Sequence, residues 1–179
     1  MRSLTPSYAG MTYERIDKEG LCWPCPTEDH LGTPILHIGK PVRGKGLLKA
    51  LEWIQSPELD KAEYPYILTT GRILYHYHTK TMTDKTDGIN VVAPHNFIEI
   101  NPVLAKKKNI ADGDLVKVTS PRGEVRVIAK VTDIVDENVV FIPFHWGGGA
   151  NVLTNGEILD PQCKIPGFKV TGVKLEKLA

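Results

Sequence analysis

A dense run of polar and aromatic side chains lies in the middle of the chain, from Arg72 to Thr81. It contains an arginine, two tyrosines, two histidines, two threonines and a lysine. Arginine binds phosphate through a planar fork of donors, and tyrosine and histidine combine flat rings with polar tips. These residue types in one short segment predict a binding site for a large polar ligand that carries phosphates and rings.

A strand predicted just before this run would position it. Tyr66 to Thr70 are aromatic, aliphatic or β-branched, Pro65 limits where the strand begins, and Gly71 interrupts the pattern. A loop at the end of a strand is where a rigid scaffold places binding groups. The run therefore has the position expected of a functional loop.

A second candidate loop, Pro143–Thr154, follows the apolar segment Val139–Ile142 and should also start at a strand end. Its glycines, Gly147–Gly149, let the backbone approach a ligand and leave N–H groups unshielded. The aromatic run Phe144–Trp146 can flank a flat ring, and Asn151 offers both a donor and an acceptor. A glycine-rich turn after a core strand remains the alternative. The chain has neither a Walker A nor a GxGxxG motif, so nucleotide hydrolysis is not predicted.

A third candidate is Lys169, which lies just before the last predicted strand and is able to reach a phosphate or a carbonyl. An ordinary surface lysine is the alternative. His76 and His78 are two residues apart, which on a strand places both on one face without a third ligand nearby. Their spacing favours hydrogen bonding to a ligand over metal binding. No acid–base pair or GxSxG nucleophile is evident, so no catalytic residue is predicted.

Length and composition narrow the class of protein. The chain has 179 residues, 41% hydrophobic and 24% charged, with a net charge of +1. This is the composition of a soluble globular protein, long enough for one domain and an arm. The near-neutral charge argues against duplex nucleic acid as a partner. The N-terminus lacks the apolar core of a secretory signal and no segment is apolar enough to span a bilayer, so a cytoplasmic location is expected.

The three cysteines do not predict a disulfide framework, because their number is odd and small. Cys22 and Cys25 have the spacing of a thioredoxin-type or half-zinc motif, but neither a βαβ pattern nor a second such pair accompanies them. A zinc site would need Cys163 and a histidine such as His30 to join them. The favoured interpretation is a chance pairing in a proline-rich arm.

The elements along the chain predict a mainly β fold with short helices. Residues 1–63 are rich in proline and glycine and predict an extended arm and linker; the apolar spacing within Lys45–Ile54 fits a helix but is too short to decide. Residues 64–179 predict a compact domain, in which Asn101 and Pro102 begin a helix and Ser120–Gly123 form a hairpin turn. The predicted strands are Tyr66–Thr70, Phe97–Ile100, Leu115–Thr119, Glu124–Val131, Val139–Ile142 and Val170–Leu175. Five or six short strands favour a closed or nearly closed barrel.

Several motifs in this order resemble one known family. They are TTGRILYHYHTKTM, FIEINPVLAKKKNIADGDLVKVTSPRGEV, PFHWGGGANVLT and PGFKVTGVKLEKL. Together they are similar to the C-terminal domain of the molybdopterin-dinucleotide oxidoreductases, the dimethyl sulfoxide reductase family of molybdenum and tungsten enzymes. The upstream stretch SLTPSYAGMTYERIDKEGLCWPCP looks like the segment that precedes this domain in formate dehydrogenases, so the resemblance covers nearly the whole chain.

The resemblance implies a six-stranded double-psi β-barrel that helps to hold a bis(molybdopterin guanine dinucleotide) cofactor with molybdenum or tungsten. In the family pattern, Arg72 and backbone N–H groups would bind phosphates, His76, His78 and Thr79 the pterin or pyrophosphate, and Asn151 with Lys169 the second half of the cofactor. The implied cofactor-binding residues are Thr70, Gly71, Arg72, Ile73, Leu74, Tyr75, His76, Tyr77, His78, Thr79, Phe144, Asn151 and Lys169.

The resemblance also implies a function. The chain would be the cofactor-binding C-terminal part of a formate dehydrogenase alpha subunit, as a fragment or split subunit, and would not oxidise formate alone. Its implied partners are the rest of the catalytic subunit and an electron-transfer iron–sulfur subunit. The iron–sulfur cluster itself is expected only in an upstream domain, because it needs four cysteines that this chain lacks.

Three alternatives stay open. The same domain occurs in nitrate reductases, and a similar barrel is a separate subunit in formylmethanofuran dehydrogenases. A more distant alternative is a barrel that binds single-stranded nucleic acid through the aromatic rings of Tyr75, Tyr77, Phe144 and Trp146. The near-neutral charge makes this last alternative the least favoured.

Overall fold

The computed structural model describes residues 2–39, 41, 44–59 and 62–178. It divides the chain into two compact units, Met1–Glu52 and Trp53–Ala179. The boundary predicted between an arm and a domain near residue 64 stays a prediction.

The first unit is mostly irregular, as its proline and glycine content suggests. Its regular elements are a 3₁₀ helix, Pro6–Tyr8, and helix α1, Tyr13–Glu19. Helix α1 lies within residues 1–63, which the sequence predicted to be an extended arm and linker. Its signals are short but present, because the Thr12 hydroxyl accepts a hydrogen bond from the Arg15 amide at 3.1 Å and Gly20 ends the helix at a positive φ.

The two cysteines of the first unit have different environments. Cys22 is exposed and Cys25 is buried, and both thiols are free. The Cys25 carbonyl accepts from the Gly10 amide and the Cys25 amide donates to the Ser7 carbonyl, each at 2.8 Å. Among the described residues, no three histidine, cysteine or carboxylate side chains cluster in a way that would hold a metal ion. The backbone hydrogen bonds of the buried Cys25 connect it to the segment that contains Ser7 and Gly10.

The second unit contains a closed barrel of six strands. In chain order they are β1 (Tyr66–Gly71), β2 (Phe97–Ile100), β3 (Leu115–Ser120), β4 (Gly123–Val131), β5 (Val139–Pro143) and β6 (Thr171–Lys177). Around the barrel the order is β1-β5-β2-β4-β3-β6. The mainly β, six-stranded, closed architecture predicted from the sequence is confirmed. Closure pairs every strand on both sides and removes exposed edges.

Short helices fill the connections of the barrel. They are α2 (Asp87–Val92), α3 (Pro102–Lys107) and the 3₁₀ helices Thr83–Lys85 and Ala150–Val152. The predicted start of α3 is confirmed, because the Asn101 side chain accepts from the Val103 amide at 2.9 Å and Pro102 occupies the first turn. The predicted hairpin turn is confirmed as well, since Ser120 pairs with Gly123.

The barrel interior is formed by alternate residues of the strands. In β3 and β5 the buried positions alternate with more exposed ones, as one-sided burial requires. Among the described residues, the large aliphatic side chains that are fully buried are Leu68, Ile98, Ile100, Val116, Val118, Val140, Ile142, Leu153 and Val173. This packed interior makes the barrel a rigid support for the loops at its rim.

The segment Lys45–Ile54 has no regular secondary structure. Five large apolar side chains in it are each between 81% and 94% exposed; they are Leu47, Leu48, Leu51, Trp53 and Ile54. The sequence left a helix in this segment undecided. No helix among the described residues is long and apolar enough to cross a membrane.

Candidate functional site

Strands β1 and β5 bring the two predicted loops together. They are parallel neighbours with Gly71 opposite Pro143 in the register, so their carboxyl ends lie at the same rim of the barrel. The Phe144 amide continues this pairing by donating to the Gly71 carbonyl at 3.1 Å. Residues 72–82, here called the β1 loop, and residues 144–154, the β5 loop, therefore leave the barrel side by side.

His145 joins the two loops through both ring nitrogens. It is 1% exposed. Its Nε2 accepts a hydrogen bond from the Ile73 amide at 2.9 Å, and its Nδ1 is hydrogen bonded to the His78 carbonyl. An amide can only donate and a carbonyl can only accept, so Nε2 is unprotonated and Nδ1 carries the proton. One neutral imidazole therefore holds both ends of the segment from Ile73 to His78.

The surroundings of His145 keep it neutral. Burial lowers the pKa of its imidazole, and the nearby charges of His76, Arg72 and His78 lower it further. The hydrogen bond to the His78 carbonyl raises the pKa but does not outweigh these effects. A proton on Nε2 would also break the bond from the Ile73 amide.

His76 lies inside the β1 loop rather than on its surface. It is 3% exposed, its Nε2 bonds to the Ala93 carbonyl at 2.8 Å and its Nδ1 to the Thr83 hydroxyl at 3.0 Å. Its ring meets the Trp146 ring edge-on, with centroids 5.2 Å apart. Both ring nitrogens thus have protein partners, so this histidine supports the loop; its predicted contact with the cofactor stays a prediction.

Other predicted side chains form an accessible surface above these buried histidines. The Arg72 guanidinium carbon lies 5.4 Å from the centre of the Phe144 ring, a cation–π arrangement. The His78 ring meets the same Phe144 ring edge-on, with centroids 5.7 Å apart. Arg72, His78 and Thr79 are exposed, as are Leu74, Tyr75 and Tyr77. The cation and the rings that the sequence predicted for a phosphate-bearing ligand therefore share one face.

A small cleft of about 200 Å³ lies between the two loops. Lys80 and Trp146 line it, and the Lys80 ammonium is paired with Asp84 and lies 5.7 Å from the Trp146 ring centre. Within the described part of the chain, the Trp146 Nε1 is buried without a hydrogen-bond partner. An unsatisfied buried donor costs stability unless a further group accepts its proton.

The backbone of this region is unusual in two ways. His78 and Lys80 have φ values of +47° and +65°, conformations that cost energy for residues with side chains and that concentrate at functional sites. A Cβ atom added to Gly71 would lie 2.8 Å from the Phe141 ring, so the ring or the backbone would have to shift to accommodate it. The rim of the barrel is thus held in one strained, tightly packed conformation.

Lys169 extends the surface on the β6 side, whereas Thr70, another predicted cofactor-binding residue, is buried. The Lys169 ammonium donates to the Thr70 carbonyl, and the Thr70 hydroxyl donates to the Phe168 carbonyl at 2.9 Å. Lys169 is exposed and approaches the end of β1, next to Gly71. Asn151 is exposed on the 3₁₀ helix of the β5 loop. The structure therefore joins Lys169 to the β1 rim and places Asn151 at the far end of the β5 loop.

Sequence reasoning did not identify His145 as a loop-positioning residue, although it noted the aromatic run that contains it. The signal was a histidine two residues beyond the end of a buried strand, beside a second loop rich in backbone donors and acceptors. Only the parallel pairing of β1 with β5 shows that its ring meets the Ile73 amide.

Comparison with known proteins assigns a family. Residues 66–172, more than half of the chain, match the family described as the molydopterin dinucleotide binding domain. The chain belongs to this family. The match spans all but the last residues of the barrel, and it includes both loops, so the dinucleotide-binding domain and the candidate site coincide.

Relatives of this dinucleotide-binding domain are considerably longer proteins. The F420-dependent formate dehydrogenase subunit alpha of Methanocaldococcus jannaschii is 46% identical over 99% of this chain and 27% of its own length. The assimilatory nitrate reductase catalytic subunit of Bacillus subtilis is 40% identical over 94% of this chain and 24% of its own length. The chain spans about a quarter of the length of the curated relatives it matches.

A solved structure shares the fold. Acetylene hydratase from Pelobacter acetylenicus aligns with a TM-score of 0.56 and 20% identity, over 65% of this chain and 19% of that protein. This supports the barrel architecture of the dinucleotide-binding domain and carries no argument about its ligand.

The residues of the site fit a molybdopterin dinucleotide. Arg72 and Lys169 supply positive charge for phosphates, and Phe144 supplies a ring face. Trp146, which lines the cleft between the two loops, supplies a second ring.

Proposed function

We propose that this chain is the cofactor-binding C-terminal portion of a molybdenum- or tungsten-dependent formate dehydrogenase alpha subunit. The single observation that carries the proposal is the paired β1 and β5 loops at one rim of the barrel, within the part of the chain that matches the dinucleotide-binding family. Three relatives named as formate dehydrogenase alpha subunits, each 45–46% identical to the chain, support the formate assignment.

In this proposal the cofactor-binding residues have distinct roles. Arg72 and the backbone amides of the β1 loop bind phosphates, and His78 with Thr79 binds the pterin or pyrophosphate. Asn151 and Lys169 bind the second half of the cofactor. The side chain of His76, whose nitrogens are already bonded, supports the loop from inside and would reach the cofactor only by leaving Thr83 or Ala93. The other cofactor-binding residues that the resemblance implies belong to the same proposal.

The metal cofactor would supply the two-electron chemistry that interconverts formate and carbon dioxide, while the protein binds and orients it. The chain's own residues support the two loops through the packed rings of His76, His145 and Trp146. The hydrogen bonds of His145 also place its proton on Nδ1, so that the imidazole adds no charge beside the two loops. The barrel thus contributes binding and orientation rather than proton transfer.

The proposed assembly includes the rest of the catalytic subunit and an electron-transfer iron–sulfur subunit. The same proposal includes the bis(molybdopterin guanine dinucleotide) form of the cofactor with molybdenum or tungsten. It also includes an iron–sulfur cluster in the upstream part of the subunit and a cytoplasmic location. Its support is the resemblance of the sequence and the larger size of the relatives.

The isolated chain provides a direct test. Purified chain mixed with formate and a dye acceptor should give no steady turnover, because one domain forms only one wall of a site that lies between domains. Steady formate-dependent dye reduction by the chain alone would contradict the proposal.

A graft tests cofactor binding in a complete enzyme. The matching 178-residue region of the Methanococcus maripaludis formate dehydrogenase 1 alpha subunit, 46% identical to this chain, would be replaced by the chain. The graft should retain metal and guanine nucleotide at the level of the parent subunit. A folded graft that purifies without either component would overturn the proposal. The same graft with Ile134→Ala, at an exposed position outside both loops, is the matched control.

A nitrate reductase is the second candidate, because a 40% identical relative carries that name. The native complex that contains this chain should reduce a dye with formate and should not reduce nitrate with a reduced dye. Nitrate reduction without formate oxidation would replace the formate assignment while leaving the cofactor-binding role in place.

A further inference from the structure

The second unit contains a buried ion pair beneath the β5 loop. Glu58 is 2% exposed, and Arg122 donates to it with two parallel bonds, from Nη1 to Oε1 at 3.0 Å and from Nη2 to Oε2 at 2.7 Å. Glu58 precedes the barrel in sequence, whereas Arg122 lies in the turn between β3 and β4. The pair therefore joins the segment before the barrel to the barrel itself.

The same arginine also holds the backbone of the β5 loop. Its Nε and Nη2 both donate to the Leu153 carbonyl, at 3.0 Å and 2.9 Å. Leu153 directly follows the 3₁₀ helix Ala150–Val152, whose middle residue is Asn151. A Cβ atom on the neighbouring Gly123 would lie 2.7 Å from the Val152 side chain, so the β3–β4 turn packs closely against this helix.

The carboxylate of Glu58 makes further contacts that hold it in place. Its Oε1 accepts from the Asn155 side chain at 3.0 Å, and its Oε2 accepts from the Gly172 amide at 3.4 Å. Burial raises the pKa of the Glu58 carboxyl, but the hydrogen bonds from Arg122 and Asn155 outweigh burial, so that its pKa lies below the usual value. The carboxylate is thus ionised and saturated with donors.

A buried ion pair of this kind contributes little net stability, because the loss of hydration offsets most of the attraction. Its value lies in fixed geometry, since the planar guanidinium and the carboxylate match in only one orientation. Here that orientation fixes Leu153 and Asn155, on either side of the end of the β5 loop. The start of the same loop is fixed by His145.

We propose that Glu58, acting through Arg122, is a positioning residue that holds residues 150–155 and thereby sets the place of Asn151. As a statement about a ligand, this rests on the proposed function, in which Asn151 binds one half of the dinucleotide. As a statement about the loop, it is independent of any ligand. The segment before the barrel then takes part in the binding site without touching the ligand.

Hydrogen–deuterium exchange of the 179-residue chain tests the positioning role without a ligand. Glu58→Gln removes the charge and keeps the size of the side chain, so Arg122 should lose its fixed orientation. Amides of residues 152–153, which are hydrogen bonded within the 3₁₀ turn, should exchange about tenfold faster or more, while those of β3 and β4 keep their rates.

A second variant separates charge from geometry. Arg122→Lys keeps the positive charge but supplies neither the fork to Glu58 nor two bonds to the Leu153 carbonyl. It should therefore raise exchange in residues 150–155 nearly as much as Glu58→Gln. Full protection in Arg122→Lys would show that charge alone suffices and would overturn the proposal.

The matched control is Glu99→Gln, which removes the partner of Lys130 in a half-buried ion pair on β2 and β4. It should leave exchange of residues 150–155 at the wild-type rate. A uniform rise of exchange across the barrel in Glu58→Gln, or no rise in residues 150–155, would overturn the proposal. If Glu58→Gln does not fold, Glu58→Asp gives the same comparison with the carboxylate withdrawn by one methylene.

Binding of guanosine diphosphate, measured by calorimetry, provides the functional arm. If the chain binds this probe, Glu58→Gln should weaken binding at least about fivefold, and Glu99→Gln should not. Unchanged binding with raised loop exchange would overturn the link to Asn151. If the wild-type chain does not bind the probe, the exchange comparison alone decides whether the ion pair positions the loop, and the graft decides the cofactor assignment.

Discussion

The amide of Ile73 donates to Nε2 of His145 at 2.9 Å, and this bond ties the β1 loop to the β5 loop. The opposite ring nitrogen is bonded to the His78 carbonyl, so one side chain holds both ends of the segment from Ile73 to His78. The bond requires a neutral ring with its proton on Nδ1. The shape of the proposed binding surface therefore depends on the protonation state of one buried histidine.

Replacing His145 should destabilise the chain and loosen the β1 loop. His145→Ala leaves the Ile73 amide and the His78 carbonyl without their buried partner, which should lower the free energy of unfolding by about 1–3 kcal/mol. Urea unfolding measures this difference, and His95→Ala, at an exposed histidine, is the control. A His145→Ala protein as stable as the control would show that the two bonds contribute nothing.

Stability should fall as the pH is lowered through the region in which free histidine titrates. The folded state keeps the pKa of His145 below its ordinary value, so near pH ~6.5 the unfolded chain binds a proton that the folded chain does not. The contribution of His145 is complete above that pH and is lost as the pH falls towards the lower folded pKa. Urea unfolding of the wild type and His145→Gln, followed from about pH 7.5 to about pH 5, should therefore show a difference that shrinks at acid pH. A constant difference would contradict the neutral assignment.

Gly71 should tolerate no side chain. A Cβ atom there would lie 2.8 Å from the Phe141 ring, whereas one on Gly147 of the β5 loop would meet nothing within 4 Å. Gly71→Ala should lower the free energy of unfolding by about 1–3 kcal/mol through overpacking, and Gly147→Ala should change it by less than about 0.5 kcal/mol. Thermal unfolding of both variants checks the contrast; equal midpoints would mean that the rim is more compliant than its packing indicates.

Arg72 should matter for binding and little for folding. It is exposed and contacts the Phe144 ring, an interaction worth about 0.5–1 kcal/mol at such a site. Arg72→Ala should weaken binding of guanosine diphosphate by about tenfold to a hundredfold, because a charged donor to phosphate is lost. Arg126→Ala, which removes another exposed arginine on β4, should leave binding unchanged. Similar losses in both variants would point to a general effect of charge.

Much of the barrel followed from local patterns. The alternation in Leu115–Thr119 and Glu124–Val131, with a proline–glycine turn between them, predicted a hairpin that the structure contains. Asn101 and Pro102 predicted the start of α3 for the same local reason. Helix α1 was missed because a seven-residue helix in a proline-rich segment has too few positions to show a period. The segment Lys45–Ile54 has helix-like apolar spacing but no regular secondary structure. Spacing alone does not stabilise so short a helix, because most helical stability in proteins comes from packing.

The candidate site, like the barrel, has features that local sequence patterns predict and features that depend on the tertiary structure. The sequence by itself determined where the strands end and which residue types follow them, and it therefore predicted which segments could carry binding chemistry. Only the tertiary structure decided which of these side chains are exposed at the rim and which are buried and support the loops. His76 and His78 differ by two positions, yet His76 is buried and bonded while His78 is exposed. His145 and the pair of Glu58 with Arg122 act across 64 to 72 residues of sequence, a relation that depends on the parallel pairing and closure of the barrel and that no local pattern encodes.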